Sequence, residues 1–287
     1  MTDADEKLRW AERLKAQGWG YYRAAYTHGR QLWEHALTAF EQAEALFREV
    51  RTNVARAGLV GTLSGRATVL RSSGAPNAIR QALGLYEEEV ALLRELGRHD
   101  DVPEALVNLA LAHRDLMTVA PAETPGLAQQ AVGVCREALD GAKRTGDEGV
   151  QALALSTLAD LCLVIAGIDT PDHRERHLKE ALAFYGQAEK LWEGRDEDGR
   201  ALARMGMAEA YIALGRNLEG ARDFLAEVHR YYAEYAGAPV KGPVRYQMAQ
   251  VKELEARILD AEGKPEEAAQ AREEGRQNLD ALGFRDD

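Results

Sequence analysis

Apolar residues recur at intervals of three and four along most of the chain. Two such series are Leu106, Leu109, Ala110 and His113, and Leu178, Ala181, Leu182 and Tyr185. This spacing places apolar side chains on one face of an α-helix. The segments are rich in Ala, Leu, Glu and Arg, which are strong helix formers, and none shows the sustained alternation of a β-strand. The pattern predicts an all-α chain.

Prolines and glycines mark the expected ends of these helices. Proline is tolerated in the first turn of a helix but costs about 3 kcal/mol in its interior, and glycine commonly follows the last turn. Thr124-Pro125 and Thr170-Pro171 therefore predict a capping threonine and a helix start, whereas Gly97 and Gly215 predict helix ends. Gly18-Trp19-Gly20 predicts a bend or break in the first helix.

A small residue, a large residue four positions later and a small residue three positions further form a repeating pattern. It is clearest at Ala36, Phe40 and Ala43 and at Ala181, Tyr185 and Ala188, and weaker copies begin at Ala82, Ala131, Ala221 and Ala268. Successive copies are 40 to 50 residues apart. Most follow a helix that carries its own small residue, at Ala67, Ala110, Ala159, Ala208 and Ala256. Six helical hairpins are predicted.

The spacing has a physical reason in helix packing. A small side chain lets the two helices of a hairpin approach closely, and the large residue fills the space between hairpins. One hairpin cannot bury its apolar face alone, so stacked hairpins form a continuous core. A plain helical bundle is the alternative, and the agreement of six copies favours the stack. The prediction is one domain over residues 1–287, with hairpins roughly over 4–51, 53–96, 101–145, 148–193, 196–236 and 243–282.

These residues resemble the tetratricopeptide repeat (TPR) family. Met207-Ala208-Glu209-Ala210-Tyr211 followed by Leu214-Gly215 resembles the first-helix signature of that family, and residues 262–268 resemble its inter-helix turn. Residues 104–110 and 85–93 are similar to the longer repeats of kinesin light chains and bacterial peptide-sensing regulators. The resemblance implies an α-solenoid, a right-handed superhelix of about six antiparallel helix pairs. The intervals exceed the usual 34 residues, with the largest insertions near 119–125 and 167–176.

The resemblance also implies a binding groove, because the first helix of each hairpin lines the concave surface in this family. Four positions beyond Ala67 and Ala110 lie Arg71 and Arg114, which are expected on adjacent hairpins. Asn108 occupies a place where related proteins often hold a ligand backbone amide, and its side chain both donates and accepts. An arginine pair beside it favours a carboxylate or phosphate on the partner. The alternative is solvated surface charge.

Equivalent positions on the other first helices complete the predicted groove. The residues directly after the small residues include Thr68, Asp160, Glu209 and Arg257, so the groove is expected to become acidic toward the later repeats. A carboxylate clamp of the chaperone-binding type requires several Lys, Arg and Asn residues at matching positions. The set in this sequence is incomplete, so that subtype is not predicted.

His173 and His177 are four residues apart, with Asp169 and Asp172 nearby. This spacing can place two imidazoles on one helix face, as in some zinc sites. No third ligand is evident from the sequence. The favoured interpretation is therefore a pair of ordinary exposed histidines in an inserted polar turn, and neither a metal nor another cofactor is predicted.

Two further groups of residues are assigned to packing. Cys135 and Cys162 fall at apolar repeat positions and are expected to be buried and inert. The first hairpin carries an aromatic group that is expected to form core between two helices rather than a binding patch. Its members are Trp10, Trp19, Trp33, Tyr21, Tyr22 and Tyr26.

Composition narrows the choice of partner. Hydrophobic residues make up 46% of the 287, and the net charge is −11. This acidic balance disfavours direct binding to nucleic acid or to an anionic membrane. No run of about 18 apolar residues is evident, so no membrane span is expected. With two cysteines and an acidic start in place of a leader, a cytoplasmic location is expected.

The sequence favours a non-catalytic scaffold that binds a protein or peptide segment, and it leaves the oligomeric state open. The alternative is a regulatory sensor that binds a small peptide or ligand and changes conformation. An enzyme is disfavoured because no acid/base set can be assembled and no HExxH, P-loop or GxGxxG motif occurs in a suitable context. Convergence of His113, Asp160 and Glu209 around a pocket would revive that third hypothesis.

Overall fold

The computed structural model describes residues 2–29, 31–235 and 242–280, and no strand occurs within these ranges. The helices, in chain order, are α1 (Asp3–His28), α2 (Gln31–Glu49), α3 (Asn53–Ser72), α4 (Pro76–Glu95), α5 (Val102–Val119), α6 (Thr124–Thr145), α7 (Glu148–Ile168), α8 (Pro171–Trp192), α9 (Glu197–Leu214), α10 (Leu218–Tyr235), α11 (Gly242–Ala261) and α12 (Pro265–Asp280). A short 3-10 helix, Pro121–Glu123, precedes α6. The predicted all-α fold of consecutively paired helices is confirmed.

The chain forms two compact units, unit 1 (Met1–Thr157) and unit 2 (Leu158–Asp287). In unit 1, α1 packs on α2, α3 on α4 and α5 on α6, and α2 and α4 also contact the hairpin that follows them. In unit 2, α9 packs on both α8 and α10, and α11 packs on α12. Each hairpin is therefore stabilised by its neighbour. The single domain over 1–287 stays a prediction, and its hairpin ends at 236 and 282 lie outside the described residues.

The recurring alanines are buried. The first small residue of every repeat copy is fully inaccessible to solvent, and so is each small residue of the preceding helices. These are Ala36, Ala67, Ala82, Ala110, Ala131, Ala159, Ala181, Ala208, Ala221, Ala256 and Ala268. A methyl group at a helix contact allows the two backbones to approach closely. The small-residue pattern thus marks the packing face of the helices.

A second packing device uses glycine and was not anticipated from the sequence. Phe40 and Phe47 of α2 lie against Gly65 and Gly58 of α3, where an added side-chain carbon would come within 2.5 Å of each ring. Unit 2 repeats the arrangement. There, Tyr185 and Trp192 of α8 lie against Gly206 and Gly199 of α9, and an added carbon would come within 2.6 Å and 2.8 Å of the respective rings.

In both units the two rings are seven residues apart on one helix, and the two glycines are seven residues apart on the next helix, in reverse order. Seven residues are close to two helical turns, so each pair lies on one face of its helix. The lack of a side chain at these glycines makes room for the rings between successive hairpins.

Three local predictions are corrected. Helix α1 is continuous through Gly18 and Gly20, and a side-chain carbon added at Gly18 would come within 2.9 Å of the Phe40 ring. Thr124 is the first residue of α6 rather than its cap, since its hydroxyl donates to the Met117 carbonyl oxygen at 3.2 Å. Thr170 does cap α8, but its side chain makes no capping hydrogen bond.

Helix ends at Gly97 and Gly215 are confirmed by their left-handed backbone, with φ of 70° and 63°.

Helix α7 corrects the expectation about apolar segments. It has 21 residues, and its most apolar window has a mean hydropathy of 1.8, so by length and composition this one described helix is suited to cross a membrane. Half of that window is buried within the protein. Its Ala159 and Cys162 pack with Ala181 and Tyr185 in the core of unit 2. Such packing accounts for the apolar composition of α7.

Candidate binding surface

The first helices of unit 1 bring together two predicted groove residues. Arg71 lies in the last turn of α3, and Arg114 lies in the second half of α5. Arg114 donates from Nε (2.9 Å) and Nη2 (2.6 Å) to Oδ1 of Asp115, and Arg71 Nη1 lies 3.7 Å from Oδ2 of the same carboxylate. All three side chains are between 19% and 27% exposed. Two guanidinium groups from different helices therefore converge on one carboxylate that solvent can reach.

Hydroxyl groups lie beside this cluster. The Tyr22 hydroxyl of α1 shares hydrogen bonds with Tyr26 (2.8 Å) and with Ser72 of α3 (3.3 Å). Burial raises the pKa of Tyr26, and the bond with Tyr22 adds to this, while Ser72 and Arg71 act in the opposite direction. The Tyr26 phenol thus remains protonated near neutral pH and can donate a hydrogen bond. We call Tyr22, Tyr26, Arg71, Ser72, Arg114 and Asp115 the arginine–tyrosine surface.

Thr68 and Asn108 have different surroundings. The Thr68 hydroxyl shares a 3.0 Å hydrogen bond with the buried Tyr86 hydroxyl, so it is committed to holding α4 against α3. Asn108 is partly exposed and lies seven residues before Asp115 on α5, which places the two on one face of that helix. Asn108 is therefore positioned beside the arginine–tyrosine surface, and its role as a ligand contact stays a prediction.

The predicted acidic positions of unit 2 have partners of their own. Asp160 of α7 accepts a hydrogen bond from the Tyr185 hydroxyl, and Glu209 of α9 pairs with Arg257 of α11 at 2.9 Å. Both residues are partly buried. The pairing of Glu209 with Arg257 reduces the negative charge expected for this face, because Arg257, a predicted groove residue on the next hairpin, supplies a positive charge.

An acid/base set is not assembled from these residues in the described part of the chain. Asp160 and Glu209 take separate partners, as above. His113 of unit 1 is 5% exposed, and burial lowers its pKa, so the ring is neutral at pH 7. Its Nδ1 has no hydrogen-bond partner among the described residues. These environments are typical of packing rather than of proton transfer.

The histidine pair is not in a turn. His173 and His177 lie in the first two turns of α8, and the side chain of His177 is only 14% exposed. The expectation of two exposed histidines is therefore wrong for His177, which faces Cys162 of α7. Cys135 and Cys162 are both buried, as predicted, and neither forms a disulfide in the described structure.

The aromatic group of the first hairpin does form core. Trp19, Trp33, Tyr21 and Tyr22 pack around Ala36 and Phe40, and Trp19 meets the Phe40 ring edge-on at 5.5 Å. Trp10 and Tyr26 lie outside this cluster: Trp10 is 54% exposed, and the Tyr26 hydroxyl, with that of Tyr22, belongs to the arginine–tyrosine surface. Sequence reasoning missed Asp115. Its position next to Arg114 was a signal, because Arg114 was predicted to share a face with Arg71, and an acidic residue there can pair with both arginines.

Comparison with known proteins gives the fold. No protein-family model and no curated protein matches the chain. The crystal structure of BtubC (BKLC) from P. vanneervenii matches with a TM-score of 0.63 and 14% identity, covering 89% of this chain and 94% of BtubC. Kinesin light chain TPR-like repeats from Podosopora anserina match with a TM-score of 0.48 and 17% identity, over 77% and 95% of the two chains. The match to BtubC shows that the chain has a helical-repeat fold, in agreement with the TPR-like architecture that its sequence resembles.

Proposed function

We propose that this protein is a non-catalytic scaffold that binds an acidic or phosphorylated segment of a protein or peptide at the arginine–tyrosine surface. The observation that supports it most directly is the convergence of Arg71 and Arg114 on one carboxylate. TPR-like helical repeats generally serve in protein interaction, which fits a binding role for the exposed faces of the first helices.

The contacts of Asp115 support the proposal of an anion site. Its carboxylate accepts two hydrogen bonds from Arg114 and lies near Arg71. An incoming carboxylate or phosphate would compete with Asp115 for these donors, and the geometry of guanidinium groups favours such anions. The Tyr26 hydroxyl, whose pKa is raised by burial, adds a donor that keeps its proton at neutral pH. Because Asp115 neutralises one positive charge, it weakens the binding of an anionic group of the partner and limits the affinity of the surface.

A partner segment would bind in extended form, with Asn108 beside it to pair with a backbone amide. Affinity would come from these polar contacts and from a few apolar anchors, and the ordering of the segment would be the main opposing cost. The sensor alternative differs in expecting a conformational change on binding. Small-angle scattering with and without a bound peptide distinguishes the two, since a scaffold leaves the scattering curve unchanged.

Reversing the arginine charges is expected to abolish this binding. A peptide array of glutamate-rich and phosphoserine sequences supplies the probe, and the best binder is titrated by calorimetry. The double variant Arg71→Glu/Arg114→Glu should bind at least about 100-fold more weakly, because a charge-assisted hydrogen bond contributes about 1.5–3 kcal/mol. Asp115→Asn should bind severalfold more tightly, since it removes the competing carboxylate.

Arg136→Glu is the control, because it reverses the charge of one arginine at an exposed site on α6, the second helix of its hairpin. It should bind like the wild type. If the double variant retains its affinity, or if Arg136→Glu weakens binding equally, the peptide does not bind at the arginine–tyrosine surface.

A further inference from the structure

Three side chains of unit 2 that are suited to bind a metal lie together between α7 and α8. Cys162 of α7 and His177 and Glu180 of α8 each offer one ligand atom, and no two of these atoms are more than 4.8 Å apart. His177 and Glu180 are three residues apart, so one face of α8 presents both toward Cys162. A thiol, an imidazole and a carboxylate thus meet at one place.

The His177 ring is oriented as a metal-bound histidine would be. Its Nδ1 is buried, has no hydrogen-bond partner among the described residues and lies 3.6 Å from Oε2 of Glu180. Its Nε2 lies 3.2 Å from Oδ2 of Asp169. A carboxylate beside Nε2 favours the proton on that nitrogen, which leaves the lone pair on Nδ1. The unpartnered nitrogen is therefore the one beside Glu180.

We propose that Cys162, His177 and Glu180 bind a divalent cation of the zinc class, with Asp169 as the positioning residue for the His177 ring. Zinc binds these three ligand types at about 2.0–2.3 Å, so two ligand atoms of a tetrahedral ion lie roughly 3.3–3.8 Å apart. The 3.6 Å separation of Nδ1 and Oε2 already falls in this range. The half-exposed Glu180 side chain can move to close the longer distances.

The charges favour this class of ion over others. Cys162 is 6% exposed, and a thiolate there is costly unless a cation accompanies it. A thiolate and a carboxylate together balance a charge of +2. Magnesium and calcium prefer oxygen ligands, whereas zinc accepts the mixed sulfur, nitrogen and oxygen set. Water would supply the fourth ligand from the exposed side of Glu180.

Internal ion pairing is the competing explanation for the same cluster. Arg176 Nη2 lies 3.5 Å from His177 Nε2, and Arg176 Nε lies 3.9 Å from Oε1 of Glu180. His173 Nδ1 lies 3.4 Å from Oδ1 of Asp169. The remaining ring nitrogen, Nδ1 of His177, lies 3.6 Å from Oε2 of Glu180, which is beyond hydrogen-bond distance, so ion pairing leaves this buried atom without a hydrogen bond. A bound cation would give it a ligand bond.

Cobalt binding to the full-length, untagged protein tests the proposal. Titration with Co²⁺ should show one equivalent per chain and a near-ultraviolet sulfur-to-cobalt charge-transfer band, which zinc then displaces. Cys162→Ser should abolish the band, whereas Cys135→Ser, which alters the other buried cysteine, should keep it. Asp169→Asn should weaken binding by about 10–100-fold, in line with other residues that orient a ligating histidine.

His177→Gln and Glu180→Gln should each weaken Co²⁺ binding at least tenfold, and His35→Gln, an exposed histidine of unit 1, should leave it unchanged. Circular dichroism confirms that each variant folds. If Cys162→Ser does not fold, the half-exposed Glu180→Gln variant decides the question. The proposal is overturned if the wild type shows no charge-transfer band, if Cys162→Ser retains it, or if neither α8 variant weakens binding.

Discussion

Replacing Gly206 with alanine is expected to lower the free energy of unfolding by about 1–3 kcal/mol, although alanine is normally the better helix former. The new carbon would come within 2.6 Å of the Tyr185 ring, and Tyr185 is itself only 3% exposed. The ring cannot retreat without also losing the hydrogen bond that its hydroxyl donates to Asp160. Urea unfolding followed by circular dichroism measures the change.

Gly186→Ala is the matched control for this substitution. Gly186 lies inside α8, and an added carbon there would meet no described atom within 4 Å. This variant should therefore gain about 0.5–1 kcal/mol from helix propensity. The double variant Gly206→Ala/Tyr185→Leu should lose less than the sum of its single changes, because the smaller side chain relieves the overlap. Equal stability of the Gly206→Ala and Gly186→Ala proteins would show that the ring does not pack on Gly206.

Raising the pH from 5 to 9 is expected to destabilise the protein through Glu89, and Glu89→Gln should remove that part of the dependence. Glu89 is 6% exposed, and its Oε2 has no hydrogen-bond partner among the described residues. Burial raises the pKa of Glu89 to about 8, Glu104 adds to the rise, and a hydrogen bond with Ser64 opposes it. The folded protein therefore keeps this carboxyl neutral at pH 7.

The sign follows from comparing the folded and unfolded chains. An unfolded glutamate releases its proton near pH 4.5, whereas the folded protein holds the proton to about pH 8. The contribution of Glu89 is fully present below the unfolded pKa and is lost as the pH rises through the folded pKa. Each unit of pKa difference corresponds to about 1.4 kcal/mol, so the loss amounts to a few kcal/mol.

Urea unfolding at pH 5 and at pH 9 measures the effect as a difference between variants. Glu89→Gln should be more stable than the wild type at pH 9 and should show the weaker dependence. Glu87→Gln, an exposed neighbour on the same helix, should follow the wild type at both values. If Glu89→Gln and Glu87→Gln behave alike, the Glu89 carboxyl is already ionised in the folded protein.

The sequence was sufficient to predict the helices and their pairing, because both depend on local patterns. Helix propensity, proline and glycine positions and the three-four spacing of apolar residues operate within about 20 residues. The alanines of the repeat could be identified for the same reason, since each must lie a fixed number of residues from its large neighbour. Ala110 and Ala208 are examples, and both are fully buried.

Contacts between different helices were harder to predict. The rings of Phe40 and Tyr185 were assigned to the space between hairpins. The glycines that they pack against lie on the next helix, and no local sequence pattern marks them as contact positions. The His177 cluster shows the same limit. A search along α8 pairs His177 with His173, whereas the structure places it beside Cys162, which lies on the preceding helix.

The candidate surface was partly accessible to sequence reasoning. Arg71 and Arg114 occupy equivalent positions, so their shared face could be predicted from the repeat register. The role of Asp115 could not, because its pairing depends on the side-chain directions of two helices at once. Thr68 illustrates a different limit: the repeat register predicts it for the groove, whereas its hydroxyl is hydrogen-bonded to the buried Tyr86.

The ring-and-glycine contacts limit how this chain could be recombined. Helix α3 fits after α2 because its two glycines match two rings, and α9 fits after α8 for the same reason. A chimera in which α3 and α4 follow α8 would keep a matching surface. A chimera in which α8 is followed by a helix that has side chains in place of the two glycines would not. Hairpins of this protein are thus interchangeable building blocks only when donor and acceptor carry complementary shapes.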